Sequence, residues 1–294
     1  MSAKMFCVAG DIIARPFQSR PSRPLLLRLP LRLPLQSKKQ KTNESMKINP
    51  KYTHLQAWLA TLPSRFENEG EHVYGGRRNL IKKFTAPDGT VLNVKRYRRP
   101  RHVNLLIYSL GIRKPKGQRA WEYPEVLRKA GFDTPEPVAY IEKRHLGLLG
   151  YSYFISLQCP YRHDMYEFGR AKKGSYEDFC SAFGRYTARL HAAGIMHLDY
   201  SPGNILWDRD AEGRFVFSLV DINRMRIGPV DKRQGCANFA RLWGSIRFFM
   251  LLARSYATAR GFDINESERL ILSARRKFWT KYLKKHSVSY QVKL

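Results

Sequence analysis

The sequence predicts an α+β fold with two lobes, a small lobe built on an antiparallel sheet and a larger, mostly helical lobe after it. Short runs with strand character, separated by turn signals, dominate the region from Glu71 to Leu157. From Ser175 onward the apolar residues recur at the spacing of helices. We therefore expect a small lobe over residues 46–158 and a helical lobe over residues 159–294.

Composition and charge narrow the function classes. The chain has 294 residues, and 43% of them are hydrophobic, which is enough for a folded core and excludes a disordered tail protein. It carries 53 Lys and Arg against 24 Asp and Glu, a net charge of +29. Such an excess favours anionic partners, which include phosphates, acidic glycolipids, nucleic acid and an acidic membrane leaflet.

Cysteine usage argues against a disulfide-stabilised scaffold, and hydropathy argues against a membrane-spanning protein. The four cysteines are far apart and form no Cys-x-x-Cys pair, so we expect reduced thiols rather than a disulfide scaffold. The longest apolar runs fall short of the roughly 20 residues that a membrane-spanning helix needs. The sequence therefore predicts a soluble or peripheral protein of the cytoplasm.

The first 45 residues differ from the rest of the chain. Residues 23–35 alternate Leu, Arg and Pro, a low-complexity run that cannot hold a helix and lacks the unbroken apolar core of a signal peptide. Globular patterning begins at Met46. We expect residues 1–45 to be disordered or to lie upstream of the true start at Met46.

The elements of the small lobe follow from its turn signals. Gly75 and Gly76 break the first strand pair, and Pro87-Asp88-Gly89 separates the next two strands, which indicates an antiparallel meander. A short helix precedes the meander and one longer helix, which stops at Gly131, follows it. The predicted elements are a helix over His54–Leu62, strands over Asn79–Phe84 and Val91–Tyr97, a helix over Gln118–Ala130, and strands over Pro135–Glu142 and Gly150–Leu157.

The helical lobe begins with a clear amphipathic pattern. Phe179, Phe183, Tyr186 and Leu190 are spaced by four, three and four residues, which places them on one helix face, and Gly194 marks its end. Two further long helices are predicted over Ala237–Arg260 and Glu266–Lys285. For the last helix, Asn265 and Glu268 form a capping pattern.

Two polar motifs lie in this lobe. The first runs from His197 through Asp199 to Asn204, and in the second Asp221 directly follows a strand-like run. Phosphoryl transfer from ATP needs one carboxylate for the attacking hydroxyl and separate oxygen ligands for Mg²⁺. We assign Asp199 as the catalytic base and Asn204 and Asp221 as the metal ligands. The alternative is that such short motifs occur by chance in loops. His197 is interpreted as structural.

Lys95, near the end of the predicted strand Val91–Tyr97, completes the set of predicted ATP-site residues. Lys95 is placed to contact the α- and β-phosphates of ATP, and a helix glutamate should fix it. Glu122 is the preferred partner, and Glu125 competes with it. Lys95 is also one member of a basic run, and either glutamate could be an ordinary solvated carboxylate.

The remaining nucleotide contacts rest on backbone groups. Gly75 and Gly76 could cover the phosphates with their amides, although no Gly-x-Gly-x-x-Gly is present and a lone Gly-Gly is usually a hairpin turn. Cys159 belongs to the segment that would meet adenine at the hinge between the lobes.

These motifs together resemble the lipopolysaccharide core kinases, a family of Kdo and heptose kinases distantly related to protein kinases. The similarity covers about residues 73–243. The resemblance implies a bilobal protein-kinase-like fold and transfer of the ATP γ-phosphate, with Mg²⁺, to a sugar hydroxyl at the cytoplasmic face of the inner membrane. It is carried by Val94-Lys95-Arg96-Tyr97, Arg119-Ala120-Trp121-Glu122-Tyr123, Thr134-Pro135-Glu136-Pro137, the run from Met196 to Leu206, and the run from Val220 to Met225.

Departures from the protein-kinase pattern concern the acceptor. Ser201 stands where protein kinases commonly have lysine, Asp-Ile-Asn replaces Asp-Phe-Gly, and no Ala-Pro-Glu follows. These differences argue against a peptide acceptor. Basic clusters over residues 95–101 and 224–233 fit an anionic glycolipid or sugar instead.

Three alternatives stay open at this point. The enzyme could act on a protein or on an aminoglycoside-like small molecule. The chain could also be a nucleic-acid-binding protein with a degenerate kinase fold, which the intact Asp199, Asn204 and Asp221 make the weaker reading. The basic, aromatic run over residues 275–285 fits either a helix on an anionic leaflet or a packed helix with a charged outer face.

Overall fold

The computed structural model describes residues 42–76, 79–290 and 292. Most of the predicted N-terminal extension, residues 1–41, lies outside the described residues. The first strand begins at Thr42 and contains Met46, so the predicted boundary at 45/46 falls within a strand.

As far as its residues are described, the small lobe is a six-stranded antiparallel sheet with three α-helices. Its strand order is β1-β5-β6-β4-β3-β2, so the predicted meander of β2, β3 and β4 is confirmed and β5 and β6 extend it. The strands are β1 (Thr42–Ile48), β2 (Glu71–Gly75), β3 (Asn79–Thr85), β4 (Val91–Tyr97), β5 (Pro137–His145) and β6 (Leu148–Leu157). The helices are α1 (Gln56–Arg65), α2 (Val103–Ser109) and α3 (Lys116–Lys129).

One face of this sheet is covered by α1. Leu59 and Leu62 of that helix are fully buried against a set of strand residues that includes Leu92, Val94 and Ile155. These apolar residues alternate with polar ones along the strands, as expected for a sheet packed on one side. The short helix α2 was not predicted, because seven residues are too few to reveal a helical period.

Over residues 159–290, the large lobe combines four α-helices with two small sheets. Its strands are β7 (His163–Asp164), β8 (Ile195–His197), β9 (Ile205–Arg209), β10 (Phe215–Leu219) and β11 (Met225–Ile227). Its helices are α4 (Glu177–Ala192), α5 (Lys232–Asn238), α6 (Ile246–Arg260) and α7 (Ile264–Leu283). Strand β9 pairs with β10 and β7, while β11 pairs with β8. These paired strands hold the loops that carry the polar motifs.

The predicted stripe on α4 faces an aromatic core. Phe179, Phe183, Tyr186 and Leu190 are all buried, and the first three contact Phe217 of β10. Such aromatic pairs each contribute about 0.5–1.5 kcal/mol beyond the area they bury. The two-lobed α+β prediction is thus confirmed, while the exact boundary at 158/159 stays a prediction.

Two details of the helical lobe were predicted wrongly. The helix expected over Ala237–Arg260 is interrupted after a 3₁₀ turn at Phe239–Arg241, and α6 starts afresh behind Ser245, whose hydroxyl accepts from the Phe248 amide. Gly244 has a φ of +153° there, a conformation that favours glycine. The cap of α7 is Asp263, not Asn265, because residue 263 is the last with extended backbone.

Within the described residues, no helix is long and apolar enough to cross a bilayer.

Candidate active site

The loop that carries Asp199 is anchored by a buried histidine. His197 ends β8 and is completely shielded from solvent. Its Nδ1 accepts from the Asp199 amide at 3.0 Å, and its Nε2 donates to the Val220 carbonyl at 3.1 Å. Burial lowers the pKa of this imidazole, which therefore stays neutral and supplies one acceptor and one donor. The ring connects the two polar loops through their backbones and leaves no nitrogen free for proton transfer.

Asn204 closes the same loop. Its side-chain amide donates to the Asp199 carbonyl at 2.8 Å. Its own carbonyl accepts from the Val220 amide at 3.0 Å, so Asn204 lies beside the residue that precedes Asp221. Pro202 starts the 3₁₀ turn that makes this return possible. The predicted proximity of Asn204 and Asp221 follows from these backbone bonds.

Asp221 and Lys95 join the two lobes. Lys95 lies on β4 of the small lobe, is 7% exposed, and places its Nζ 2.6 Å from Asp221 Oδ1. Asn223 also donates to that carboxylate oxygen. Asp221 has a φ of +53°, a left-handed conformation that aspartate tolerates better than most residues. The structure therefore brings Lys95, Asp221 and Asn204 together across the cleft.

Two arginines contact Asp199. Arg241, on the 3₁₀ turn after α5, donates to Asp199 Oδ1, and Arg224 Nη1 lies 3.6 Å from Asp199 Oδ2. Arg224 belongs to a basic cluster that the sequence had linked to an anionic acceptor. Sequence reasoning missed Arg241, which lies 42 residues from Asp199 in a region predicted as continuous helix. No local spacing could have identified it.

A series of buried, hydrogen-bonded side chains supports the loop that carries Asp199. Asn238 of α5 donates to the His197 carbonyl at 3.0 Å and accepts from His191 Nε2 at 3.1 Å. The other His191 nitrogen accepts from the Tyr256 hydroxyl at 2.9 Å. Burial lowers the pKa of His191 to about 4, so the ring is neutral and fully bonded. Three helices are thereby linked to the loop that presents Asp199.

The structure does not bring either candidate glutamate to Lys95. Glu122 accepts from Lys114 at 2.8 Å and from Gln118 at 2.9 Å. Glu125 pairs with Lys129 at 2.7 Å on the exposed side of α3. The buried face of α3 is apolar and consists of Gly117, Ala120, Pro124 and Leu127, so both carboxylates turn outward. In this conformation Asp221 holds Lys95 instead.

The glycine pair forms the predicted hairpin. Gly75 has a φ of +100°, and a Cβ there would lie 2.1 Å from the Asn79 carbonyl oxygen, so only glycine fits. Gly76 donates its amide to the same carbonyl at 3.0 Å. The neighbouring Arg77 and Arg78 lie outside the described residues. The hairpin is thus present, and its contact with phosphates stays a prediction.

Cys159 lies where the chain leaves the sheet. The preceding Gln158 still donates its amide to Val91 at 3.0 Å, and β7 of the large lobe begins at His163. Burial raises the pKa of the Cys159 thiol, which favours its protonated form. Its position between the sheets suits the predicted hinge.

The residues present fit a magnesium–nucleotide site. Asp221 and Asn204 offer carboxylate and amide oxygens, the hard ligands that Mg²⁺ takes in small number beside substrate phosphates. Among the described residues no group of three His, Cys, Asp or Glu side chains forms an all-protein metal site. Mg²⁺ held by one or two protein oxygens takes its other ligands from substrate phosphates and water.

Comparison with known proteins gives a family and a fold. The model of the lipopolysaccharide kinase (Kdo/WaaP) family matches residues 66–266. The solved structure of WaaP in complex with acyl carrier protein is similar with a TM-score of 0.56, at 18% identity, over 81% of this chain and 99% of that one. This likeness confirms the predicted kinase-like α+β fold.

Weaker similarity extends to Rio2 kinase from Chaetomium thermophilum. Its complex with ADP/Mg²⁺-phosphoaspartate has a TM-score of 0.41 at 14% identity, covering 80% of this chain and 73% of that chain. A second Rio2 structure from the same organism has a TM-score of 0.40 at 14% identity, covering 80% of each chain. No curated protein sequence matches the chain.

Proposed function

Because the chain belongs to the lipopolysaccharide kinase (Kdo/WaaP) family, we propose that it transfers the γ-phosphate of ATP to a hydroxyl of an inner-core sugar, Kdo or heptose. The observation that carries the proposal is the joint placement of Lys95, Asp221, Asn204 and Asp199 at one cleft. The reaction would take place at the cytoplasmic face of the inner membrane, where ATP is present.

Asp199 is the proposed base. The acceptor hydroxyl donates a hydrogen bond to its carboxylate, and the hydroxyl oxygen attacks the γ-phosphorus while the bond to the β-phosphate oxygen breaks. The proton passes to Asp199, and ADP leaves with the bonding electrons. Since His197 and Asn204 fix the backbone on both sides of Asp199, the carboxylate needs little reorganisation to meet the hydroxyl.

The nucleotide side uses the remaining predicted residues. Asn204 and Asp221 would hold Mg²⁺, which when bound neutralises charge on the β- and γ-phosphates. Lys95 would exchange part of its contact with Asp221 for the α- and β-phosphates. The amides of Gly75 and Gly76 would cover the phosphates, the backbone at Cys159 would meet adenine, and Glu122 would reach Lys95 only by leaving Lys114.

Arg224 and Arg241 support an anionic acceptor. Their guanidinium groups flank the Asp199 carboxylate, and guanidinium forks bind carboxylate and phosphate well. A carboxylate or phosphate on the acceptor would draw these arginines away and leave Asp199 free for the hydroxyl. A neutral acceptor would have to displace two cations without offering them a replacement.

The experiment is an acceptor panel with the purified chain, Mg²⁺ and γ-labelled ATP. We expect label in deacylated inner-core oligosaccharide and little in casein or in an aminoglycoside, with the phosphate located by NMR. A salt titration of DNA and RNA binding runs in parallel, since a true nucleic-acid binder shows a steep salt slope. Label in protein alone, or tight nucleic-acid binding with no transfer, would refute the proposal.

A further inference from the structure

The most exposed apolar side chains of the molecule are concentrated at one place. Among the described residues, six large apolar side chains are at least 55% exposed, and five of them belong to α2 and its surroundings. Tyr74, on the glycine hairpin, is the sixth. We call these five residues the apolar patch; they are Val103 (67%), Leu106 (55%), Leu110 (71%), Ile112 (73%) and Leu146 (82%).

The two segments that carry the patch are tied together in the fold. Val103 and Leu106 are three residues apart on one face of α2, and Leu110, the C-cap residue with helical backbone, follows four residues later on the same side. Leu146 lies at the tip of the β5–β6 hairpin, and that tip is fastened to the end of α2. Arg144 Nη1 donates both to the Ser109 carbonyl at 3.1 Å and to the Gly147 carbonyl at 2.9 Å. The Ser109 hydroxyl also accepts from the Leu149 amide at 2.9 Å.

The side of α2 opposite the patch anchors the helix to the rest of the small lobe. Tyr108 is buried, and Ser109 makes the two contacts with the hairpin. The exposed leucines are therefore presented by a fixed element rather than by a loose loop. An apolar surface held outward in this way needs a partner to cover it.

Charge around the patch points to the nature of that partner. From residue 96 to residue 121 the sequence contains eight Lys or Arg and no Asp or Glu. Arg99, Arg101 and Arg113 are exposed and flank the patch on both sides along the chain. The combination of protruding aliphatic side chains and surrounding cations matches an anionic lipid surface, which takes the apolar groups at its interface and the cations at its headgroups.

We propose that the apolar patch and its flanking arginines dock the enzyme on an anionic membrane leaflet. A protein partner explains the patch less well, because protein interfaces favour aromatic residues and methionine, and this patch is purely aliphatic. Docking itself is independent of the proposed catalytic function.

The rival membrane surface, the basic run at residues 275–285, packs inward. Arg275 is 1% exposed, with its guanidinium 4.7 Å from the centre of the Phe249 ring, and Trp279 is buried. The outer face of α7 carries Arg276, Lys277 and Lys281, without a comparable apolar patch. The interpretation of this helix as a packed one with a charged outer face is therefore the better one.

The chain runs from the patch directly into α3, the helix that borders the Lys95 and Asp221 pair. Helix α3 begins five residues after Gly111, and partial desolvation together with the cations Arg119 and Arg224 lowers the pKa of Lys116, against an opposing influence of Asp221. The start of α3 is thus within electrostatic range of the residues that hold Asp199 and Lys95. If the proposed function holds, docking at the patch brings the cleft to an acceptor that is anchored in the same leaflet.

The test measures cosedimentation of the full chain with vesicles of phosphatidylcholine, with and without phosphatidylglycerol. We expect binding only with phosphatidylglycerol. The L106S/L110S variant should weaken it by at least about tenfold, because two leucines no longer enter the interface. The control variant M250S/L283S removes two exposed apolar side chains elsewhere and should bind like the wild type.

A double charge reversal tests the proposed role of the flanking arginines. R101E/R113E should weaken binding by about 25-fold or more, since each basic residue near the surface contributes about fivefold. The matched variant R276E/K277E makes the same change of charge on α7 and should lose much less. Hydrogen exchange of the wild-type chain adds a measurement without mutation: vesicles should protect the amides of residues 103–112 and leave those of α7 unchanged.

Three outcomes overturn the proposal. The first is that the wild type does not bind phosphatidylglycerol vesicles. The second is that L106S/L110S or R101E/R113E loses no more vesicle binding than its matched control variant. The third is vesicle binding that survives in L106S/L110S while self-association or capture of an acidic protein is lost. Phosphate transfer to the soluble, deacylated oligosaccharide should be unchanged in L106S/L110S, so failure of docking is distinguishable from failure of the proposed function.

Discussion

Removal of the Asn238 side chain should destabilise the fold and disturb the catalytic loop together. Asn238→Ala leaves two buried groups without their partner, the His197 carbonyl at 3.0 Å and the His191 Nε2–H at 3.1 Å. Each buried group left unsatisfied costs about 1–3 kcal/mol, so we expect the free energy of unfolding to fall by about 2–6 kcal/mol. The turnover number should fall as well, because the His197 carbonyl lies two residues before Asp199.

Urea unfolding measures the first effect, and the m-value shows whether the comparison is valid. Asn265→Ala is the matched control, because Asn265 is exposed on α7 and its loss should change stability by less than about 0.5 kcal/mol. A loss below about 1 kcal/mol for Asn238→Ala, or one equal to that of the control, would refute the idea that this buried chain supports the loop.

Three further predictions concern the same region. Burial lowers the pKa of His191 from 6.5 to about 4, so the unfolded state binds more protons than the folded state between these pH values. The free energy of unfolding should therefore be at its full value above pH 6.5 and fall by up to about 3 kcal/mol toward pH 4. Urea unfolding of His191→Gln across the same pH range should lack this fall. Gly235→Ala should cost about 1–3 kcal/mol in thermal unfolding, since its Cβ would lie against the Tyr256 hydroxyl. Gly76→Ala, whose Cβ would meet no atom of the described residues within 4 Å, should leave the melting temperature unchanged, and equal melting temperatures of the two variants would contradict this. Arg241→Met should raise KM for an anionic acceptor more than KM for ATP, and steady-state kinetics showing the reverse would remove Arg241 from the acceptor site.

Much of the site could be predicted because its parts are local. The return of Asn204 toward Asp199 spans five residues, strand β9 directly follows the first motif, and strand β10 ends two residues before Asp221. The strand position of Lys95 likewise follows from turn signals on both sides. Short-range spacing and turn chemistry are therefore enough to identify these residues.

The unpredicted features depend on packing between distant segments. Asn238 ends α5 and Arg241 lies on the 3₁₀ turn that follows, where one long helix was expected, and no periodicity reveals this interruption. Lys114, eight residues from Glu122, holds that carboxylate in this conformation, a contact that the sequence pattern does not reveal. Helix α2 was too short to be recognised, so the exposed face that it presents could be seen only in three dimensions.

The most direct test of the central claim is the rate of phosphate transfer by Asp199→Asn. We expect this variant to keep its melting temperature and its affinity for Mg²⁺–ATP while its turnover with inner-core oligosaccharide falls by about 10²–10⁴-fold, the usual contribution of a positioned base. Asp178→Asn, which changes an exposed carboxylate in the first turn of α4, should transfer phosphate at the wild-type rate. Turnover of Asp199→Asn within about tenfold of the wild type would contradict the assignment of Asp199 as the base.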